Sequence, residues 1–507
     1  MSEVGQSERT TQNRVVQLFQ QQLDYTYLGN WHKRDHNSNV ESDLLTTFLR
    51  DTQKYNHTII TKALHELNKL NQDTTKNLYE VNKEIYGLLR YGVNINPEAG
   101  EKTQSVYLIN WQEPLKNNFY IAEEVSIKGE NDKRPDIVLY INGIALAVLE
   151  LKSSTVSVSE GIRQNLDSQE SIFIKSFFNT VQLVAAGNDT QGLRYGTTKT
   201  SEKYYLTWKE DSYNQITNLL DKHLLQLCEK HRFLDIIYNF ILFDSGIKKL
   251  CRSHQYLGIK AAQDHIKRQE GGIIWHTQGS GKSLTMVWLT KWIREFDPKA
   301  RVLIITDREE LDNQIKDVFL GVNENIYRTK SGQDLITQLQ NTTPPLICSL
   351  IHKFGKKREK PREEPLPNPL LKGEGTGKTF VSGSGKEGNI LPPSPPRRGV
   401  GGEVILKEGN ILPPSPPRRG VGGEVIGDEY EDYIKELKRN LPKKFQPYGQ
   451  FYVFVDECHR TQAGKLHKAM KDILPNALFI GFTGTPLLKQ DQQSSLEVFG
   501  KYIHTYK

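Results

Sequence analysis

The sequence predicts an α/β protein of two unlike parts, a mixed helix–strand domain built around a strand hairpin and then a parallel-sheet domain. Three observations predict it. The Asn142-Gly143 pair between two apolar runs is a hairpin turn that folds residues 135–152 into a strand pair. From about residue 246, short apolar runs alternate with helical patterns, as in a parallel sheet covered on both faces. Between the two parts, residues 201–245 turn helical and read as a connector.

The chain has 507 residues, enough for about three domains. Apolar residues make up 36% and charged residues 25%, the balance of a folded core with some non-packing sequence. The net charge of +7 suits a polyanionic partner and equally an ordinary solvated surface, so charge alone assigns no partner. Cys228, Cys251, Cys348 and Cys458 are widely spaced, which excludes a disulfide framework and a structural zinc. The N-terminus lacks a signal-peptide apolar core and no run approaches membrane-spanning length. The expected location is the cytoplasm, with no membrane partner.

Residues 1–200 form the first domain. Ser42 to Leu67 reads as two helices, and Val106 to Ile109 and Phe119 to Ala122 read as strands. The chemistry lies in Arg134-Pro135-Asp136 and Glu150-Leu151-Lys152. Metal-dependent phosphodiester cleavage needs carboxylates for Mg²⁺ and a cation near the attacking water or the scissile phosphate. Asp136 and Glu150 are the candidate ligands and Lys152 the candidate cation. A strict two-residue turn pairs Ile141 with Ile144, and hence Asp136 with Leu149, which puts Asp136 on the face opposite Glu150 and Lys152. A bulge or a three-residue turn that shifts the register by one is therefore expected. The plainer alternative is a strand that ends in solvated charges.

The second domain, residues 246–507, has buried-strand runs at Ile273–Trp275, Val302–Ile305, Leu346–Cys348, Tyr452–Val455 and Leu478–Ile480. The first leads into Thr277-Gln278-Gly279-Ser280-Gly281-Lys282-Ser283 and a helical pattern. Backbone N–H groups of such a loop, with the helix N-terminus, cradle phosphates. Lys282 would reach the β/γ-phosphates and Ser283 would bind Mg²⁺. His276 stands where the first glycine of the strict pattern would be. Asp456 ends the fourth run and would hold Mg²⁺, while Glu457 would orient the attacking water. Thr483 and Thr485 end the fifth run and would couple nucleotide state to DNA contact. A second glycine-rich stretch, Gly373 to Thr379, lacks a preceding strand and is rejected. It lies in a Pro/Gly/Arg/Lys-rich segment at about 356–427, in which Lys386–Ile405 recurs unchanged as Lys407–Ile426. Too few apolar residues offset its ordering entropy, so it reads as a disordered insertion.

Together these residues resemble the restriction (motor/nuclease) subunit of type I restriction–modification enzymes. Further support comes from Asn118-Phe119, Trp208-Lys209, Arg252 to Gln255, Thr306-Asp307-Arg308, His352-Lys353-Phe354 and Asp456 to Arg460. The resemblance implies a PD-(D/E)xK-type nuclease domain followed by a RecA-like motor domain of superfamily 2. It implies cleavage by Asp136, Glu150 and Lys152, adenine reading by Gln255, and ATP and Mg²⁺ handling by Lys282, Ser283, Asp456 and Glu457. Thr483, Thr485 and Pro486 would form the coupling motif. Double-stranded DNA, a methylation subunit and a specificity subunit are the implied partners, with S-adenosylmethionine entering only through the methylase. Two positions depart from the family pattern. Gln164-Asn165-Leu166-Asp167-Ser168 stands where the family carries Gln-x-x-x-Tyr, and Cys458 replaces the more usual Ala.

The chain ends at Lys507 before any second motor domain. The leading expectation is thus an N-terminal fragment of a DNA-translocating, DNA-cleaving subunit, unable to translocate alone. The alternatives are an inactive relic or DNA- or partner-binding fragment, and a standalone Mg²⁺-dependent nuclease.

Overall fold

The structure, a computed structural model, describes residues 7–97, 102–306, 313, 315–317, 319–320, 325–350, 423–458, 463–485 and 499–507. The chain divides into two units, Met1–Gly355 with Glu429–Lys507, and Lys356–Asp428. The first unit holds both large sheets.

Its N-terminal part begins with helix α1 (Glu8–Gln21), strand β1 (Thr26–Asn30) and helices α2 (Ser42–Asp51), α3 (His57–Asn71) and α4 (Leu78–Tyr91). Local signals set the ends: Asn77 and Glu80 form a reciprocal capping box that starts α4. A short ribbon of β2 (Val93–Ile95) and β3 (Gln104–Val106) follows. The strand expected over 106–109 thus ends at Val106. Leu108 and Ile109 are fully buried without pairing, because the apolar run reports burial rather than extension.

The first sheet runs β1-β4-β5-β6-β7-β8, with β4 at Phe119–Glu123, β5 at Ile137–Ile141, β6 at Ile144–Leu151, β7 at Leu183–Asn188 and β8 at Gly192–Gly196. Asn142 and Gly143 both have positive φ (54° and 92°), as a two-residue hairpin turn requires. A Cβ on Gly143 would lie 2.7 Å from the Glu41 carbonyl, so only glycine fits that turn. Ile141 pairs with Ile144 and Tyr140 with Ala145, but Leu139 pairs with Ala147. Leu146 is the extra residue of a bulge. Beyond it Ile137 faces Leu149, and the register carries Asp136 opposite Glu150. Helix α5 (Val158–Ser168) covers this end of the sheet, capped by Ser157.

Helices α6 (Leu219–Cys228) and α7 (Lys230–Asn239) and the hairpin β9 (Ile241–Asp244)–β10 (Ile247–Leu250) connect to the C-terminal part. Residues 201–245 are helical as expected over α6 and α7 and also supply β9. They are packed rather than free: Tyr25 and Tyr86 on the N-terminal side donate their hydroxyls to Cys228 O (2.9 Å) and Ile237 O (3.0 Å).

Among the described residues the second sheet has seven strands, all parallel, in the order β13-β14-β12-β15-β16-β11-β17. They are β11 (Gly272–His276), β12 (Ala300–Thr306), β13 (Tyr327–Arg328), β14 (Leu346–Leu350), β15 (Gln450–Asp456), β16 (Leu478–Thr483) and β17 (Tyr502–Tyr506). Helix α8 (Ser253–Lys267) precedes β11, and α9 (Lys282–Phe296) follows it. The three motif-bearing strands β15, β16 and β11 are direct neighbours, so their carboxyl ends meet. One apolar core runs from Val15 on α1 through Leu224, Ile259 and Leu289 to Phe482 on β16. A second fills the other face of the parallel sheet and takes in Tyr433 and Leu437. These two residues lie on a helix, Gly423–Asn440, that begins inside the segment expected to be an insertion. Residues 356–422, including the rejected glycine-rich stretch and most of the repeat, lie outside the described residues. No helix among the described residues is long and apolar enough to cross a membrane.

Candidate functional site

Two sites are built, one on each sheet. At the first, the bulge gives Asp136, Glu150 and Lys152 one facing. Asp136 is 8% exposed and its Oδ2 accepts a 2.6 Å bond from the Leu151 N–H. Burial pushes its carboxyl up to about 6 against the pull of that bond and of Lys152. Glu150 is 1% exposed, and burial and then the adjacent Asp136 hold it well above the usual carboxylate range. Its Oε2 has no hydrogen-bond partner in the structure. Lys152 Nζ bonds the Leu151 carbonyl (2.9 Å) and Glu8 on α1 (3.2 Å). Gly161 lets α5 come this close, since a Cβ there would stand only 3.0 Å from Ala186 Cβ, the register partner of Glu150. Asp136 and Lys152 open into a cleft of about 890 Å³ whose walls carry Lys33, Arg34, Lys128, Lys133 and Arg134.

Two buried carboxyls side by side form an oxygen donor pair that a cation would satisfy. Among the described residues no group of three or more His, Cys, Asp or Glu could hold a metal ion. An ion here would take two carboxylates and fill its remaining positions with water or phosphate oxygens, which is the habit of Mg²⁺. The pair fits that ion.

At the second site, the loop from His276 to Gly281 leaves β11 and enters α9 through Gly279 (φ 78°) and Gly281 (φ 87°). Its shape is held from α8. Gln255 Nε2 donates to Gly281 O (3.0 Å), while its Oε1 caps Arg252 N (2.9 Å). His254 Nε2 bonds Ser280 O (2.9 Å). Strand β17 holds the other side: the Thr277 N–H donates to Tyr506 O (3.2 Å), and Tyr506 stacks on His254 at 3.9 Å. His276 is fully buried with Nε2 2.9 Å from His504 Nδ1, and burial lowers it to about 2. Its ring packs between Gly258 and His254 of α8 and His504 of β17.

Lys282 opens α9 with Nζ beside Gly484, where an added Cβ would be 2.9 Å away. Glu457 accepts the Gly484 N–H (3.3 Å), and its backbone has positive φ (48°), a strained turn at the end of β15. Asp456 is 3% and Ser283 9% exposed. The Thr483 hydroxyl donates to Thr485 O (2.9 Å), closing the tight turn after β16. The fold thus gathers Gln255, the loop, Lys282, Glu457 and the Thr483–Thr485 turn at one sheet end. Both functional atoms of Gln255 are engaged by backbone, so its observed part is to fix the loop. His459, Arg460, Pro486, Asp307, Arg308 and His352–Phe354 lie outside the described residues.

Residues 254–507 match the SWI2/SNF2 ATPase family model, and residues 5–203 match the model of the type I restriction enzyme R protein N terminus. The chain belongs to the type I restriction-subunit family. It is 27% identical over 469 residues to the type I restriction enzyme HindI endonuclease subunit of Haemophilus influenzae, covering 84% of this chain and 37% of that protein. A putative MjaIXP endonuclease subunit of Methanocaldococcus jannaschii is 25% identical over 465 residues, covering 84% and 36%. The chain therefore spans little more than a third of the length of these curated relatives. Among solved structures it is similar to the DNA-bound Type ISP restriction-modification enzyme LlaBIII, with TM-score 0.28 and 10% identity over 73% of this chain and 21% of that one.

Within the type I family pattern, Ser168 is 2% exposed and turns its hydroxyl back to Gln164 O (2.8 Å), while Gln164 lines the cleft. Cys458 packs beneath Gly481, whose added Cβ would come within 2.6 Å of Sγ. Sequence reasoning gave no role to His254, met only within Arg252 to Gln255, and missed Glu8, His504 and Tyr205. The last has a buried hydroxyl without a partner, pushed up by burial and by Glu150. Nothing local marks any of them, since each gains its place from a distant strand or helix.

Proposed function

We propose that this chain is the nuclease and first motor portion of a cytoplasmic type I restriction subunit, which moves along double-stranded DNA with ATP and cuts it. The reading takes residues 1–200 as a PD-(D/E)xK nuclease and 246–507 as a RecA-like superfamily 2 motor. Asp136 and Glu150 would hold Mg²⁺, which when bound supplies charge neutralisation at the scissile phosphate and a more acidic water. Lys152, tethered by the Leu151 carbonyl, brings a cation to the same face. The cationic side chains of the cleft walls, interspersed with Glu8, Asp35 and Asp132, would offer phosphate contacts that carry no sequence information. At the other sheet, loop N–H groups and Lys282 would receive the ATP phosphates, Ser283 and Asp456 would hold the nucleotide's Mg²⁺, and Glu457 would orient water. Thr483 and Thr485 would pass nucleotide state towards DNA. Base recognition and methylation, with its S-adenosylmethionine, would belong to separate specificity and methylation subunits.

The observation that carries the nuclease half is the bulge at Leu146, which gives Asp136 and Glu150 a common face. The test is Mg²⁺-dependent nicking of supercoiled plasmid by the 507-residue chain and its variants. Loss of nicking in Asp136→Ala with retention in Lys282→Ala supports it, and equal background in wild type and Asp136→Ala refutes it.

A further inference from the structure

Tyr205 follows a short 3₁₀ turn at Glu202–Tyr204, and its neighbour Leu206 is fixed to Tyr195 of β8 by two backbone bonds of 2.8 and 2.9 Å. That anchor leaves Tyr205 packed beneath α5 with Val158, Ile162, Leu166 and Ala186. Ala186 is the register partner of Glu150 across the parallel β6–β7 pair. Register partners in parallel strands present side chains to the same face, so the phenol and the Glu150 carboxyl share one covered pocket. The Tyr205 hydroxyl and Glu150 Oε2 are each buried, and each lacks a hydrogen-bond partner. A lone buried donor costs about 1–3 kcal/mol. A donor and an acceptor orphaned together under one helix are accounted for by a third body that satisfies both.

We propose that Tyr205 is a positioning residue of the Asp136–Glu150 site, its hydroxyl holding the free Glu150 oxygen through one bridging water in the direction that receives a divalent ion. The inference rests on the metal-site reading of that pair. Tyr205 touches neither the ion nor the DNA. It fixes a ligand from behind, as outer partners of metal ligands do.

The experiment titrates the full 507-residue chain with Mn²⁺ alone, reading free Mn²⁺ by its paramagnetic resonance signal, and records thermal unfolding with and without the ion. Tyr205→Phe is expected to bind Mn²⁺ roughly tenfold more weakly, with an ion-free unfolding midpoint at or slightly below that of wild type. Asp136→Ala should abolish binding. Wild-type affinity in Tyr205→Phe, beside its loss in Asp136→Ala, overturns the role of Tyr205 and leaves the metal site standing. A lowered ion-free midpoint with Mn²⁺ affinity unchanged overturns it too, because the hydroxyl then serves the fold and not the ligand. Indistinguishable binding by wild type and Asp136→Ala removes the metal site and this inference with it.

Discussion

The two sites of this chain are made from different materials. The carboxylate site is made of side chains on paired strands, and its identity depends on one extra residue, Leu146, in the ladder. The nucleotide-type site is made largely of backbone, a loop whose carbonyls and N–H groups are tied to Gln255, His254 and Tyr506. A side-chain site on a strand is set by parity and fails all at once when register slips. A backbone site is set by many small ties and weakens by degrees.

That contrast breaks most sharply at Asp136 and Lys282. Asp136→Ala should lower Mg²⁺-dependent nicking by at least about 100-fold and leave ATP binding intact, whereas Lys282→Ala should do the reverse. Fluorescent-nucleotide titration and plasmid nicking on both variants check this, and shared loss of both activities would join the two sites. Next in size, Gln255→Ala removes the bond to Gly281 O that shapes the loop and the cap on its own helix, and should weaken ATP binding about tenfold, with Mn²⁺ affinity unchanged. If ATP affinity is unaltered, the loop holds itself. Gly161→Val sharpens the comparison from the other side. Its Cβ would stand 3.0 Å from Ala186 Cβ and would press α5 off Glu150, costing about 1–3 kcal/mol of stability and weakening Mn²⁺ binding with little change at the nucleotide loop. Parallel urea titrations and Mn²⁺ titrations would measure it.

The smallest effect expected is in pH. His223 and His254 are lowered by burial to about 4, so each is held neutral in the folded chain. Because the unfolded chain binds their protons first, the contribution of these two histidines to stability is full above about pH 6.5 and is lost as pH falls towards 4. His254→Gln, which keeps a donor for Ser280 O, should flatten part of that slope in thermal unfolding recorded across the window.

Much of the architecture was legible in the chain. The apolar runs before Thr277, Asp456 and Thr483 become β11, β15 and β16 because strands buried on both faces need continuous apolar sequence. The register shift was legible too, since Asn142-Gly143 fixes the turn and the three polar residues have to share a face. What escaped was long-range. Strand β17 reads Tyr-Ile-His-Thr-Tyr and is only partly buried at the sheet edge, so it lacks the apolar run that marks its neighbours. Tyr205 and His504 sit in unremarkable sequence and gain meaning only from partners 55 and 228 positions away.

The continuous core from Val15 to Phe482 has a consequence for how the molecule comes apart. Tyr86 reaches α7, and Arg90 pairs with Glu295 on α9, so the N-terminal and C-terminal parts share one interior rather than meeting at a seam. Such a body melts as a whole. Heat, a destabilising substitution or a protease that opens either half should loosen both together.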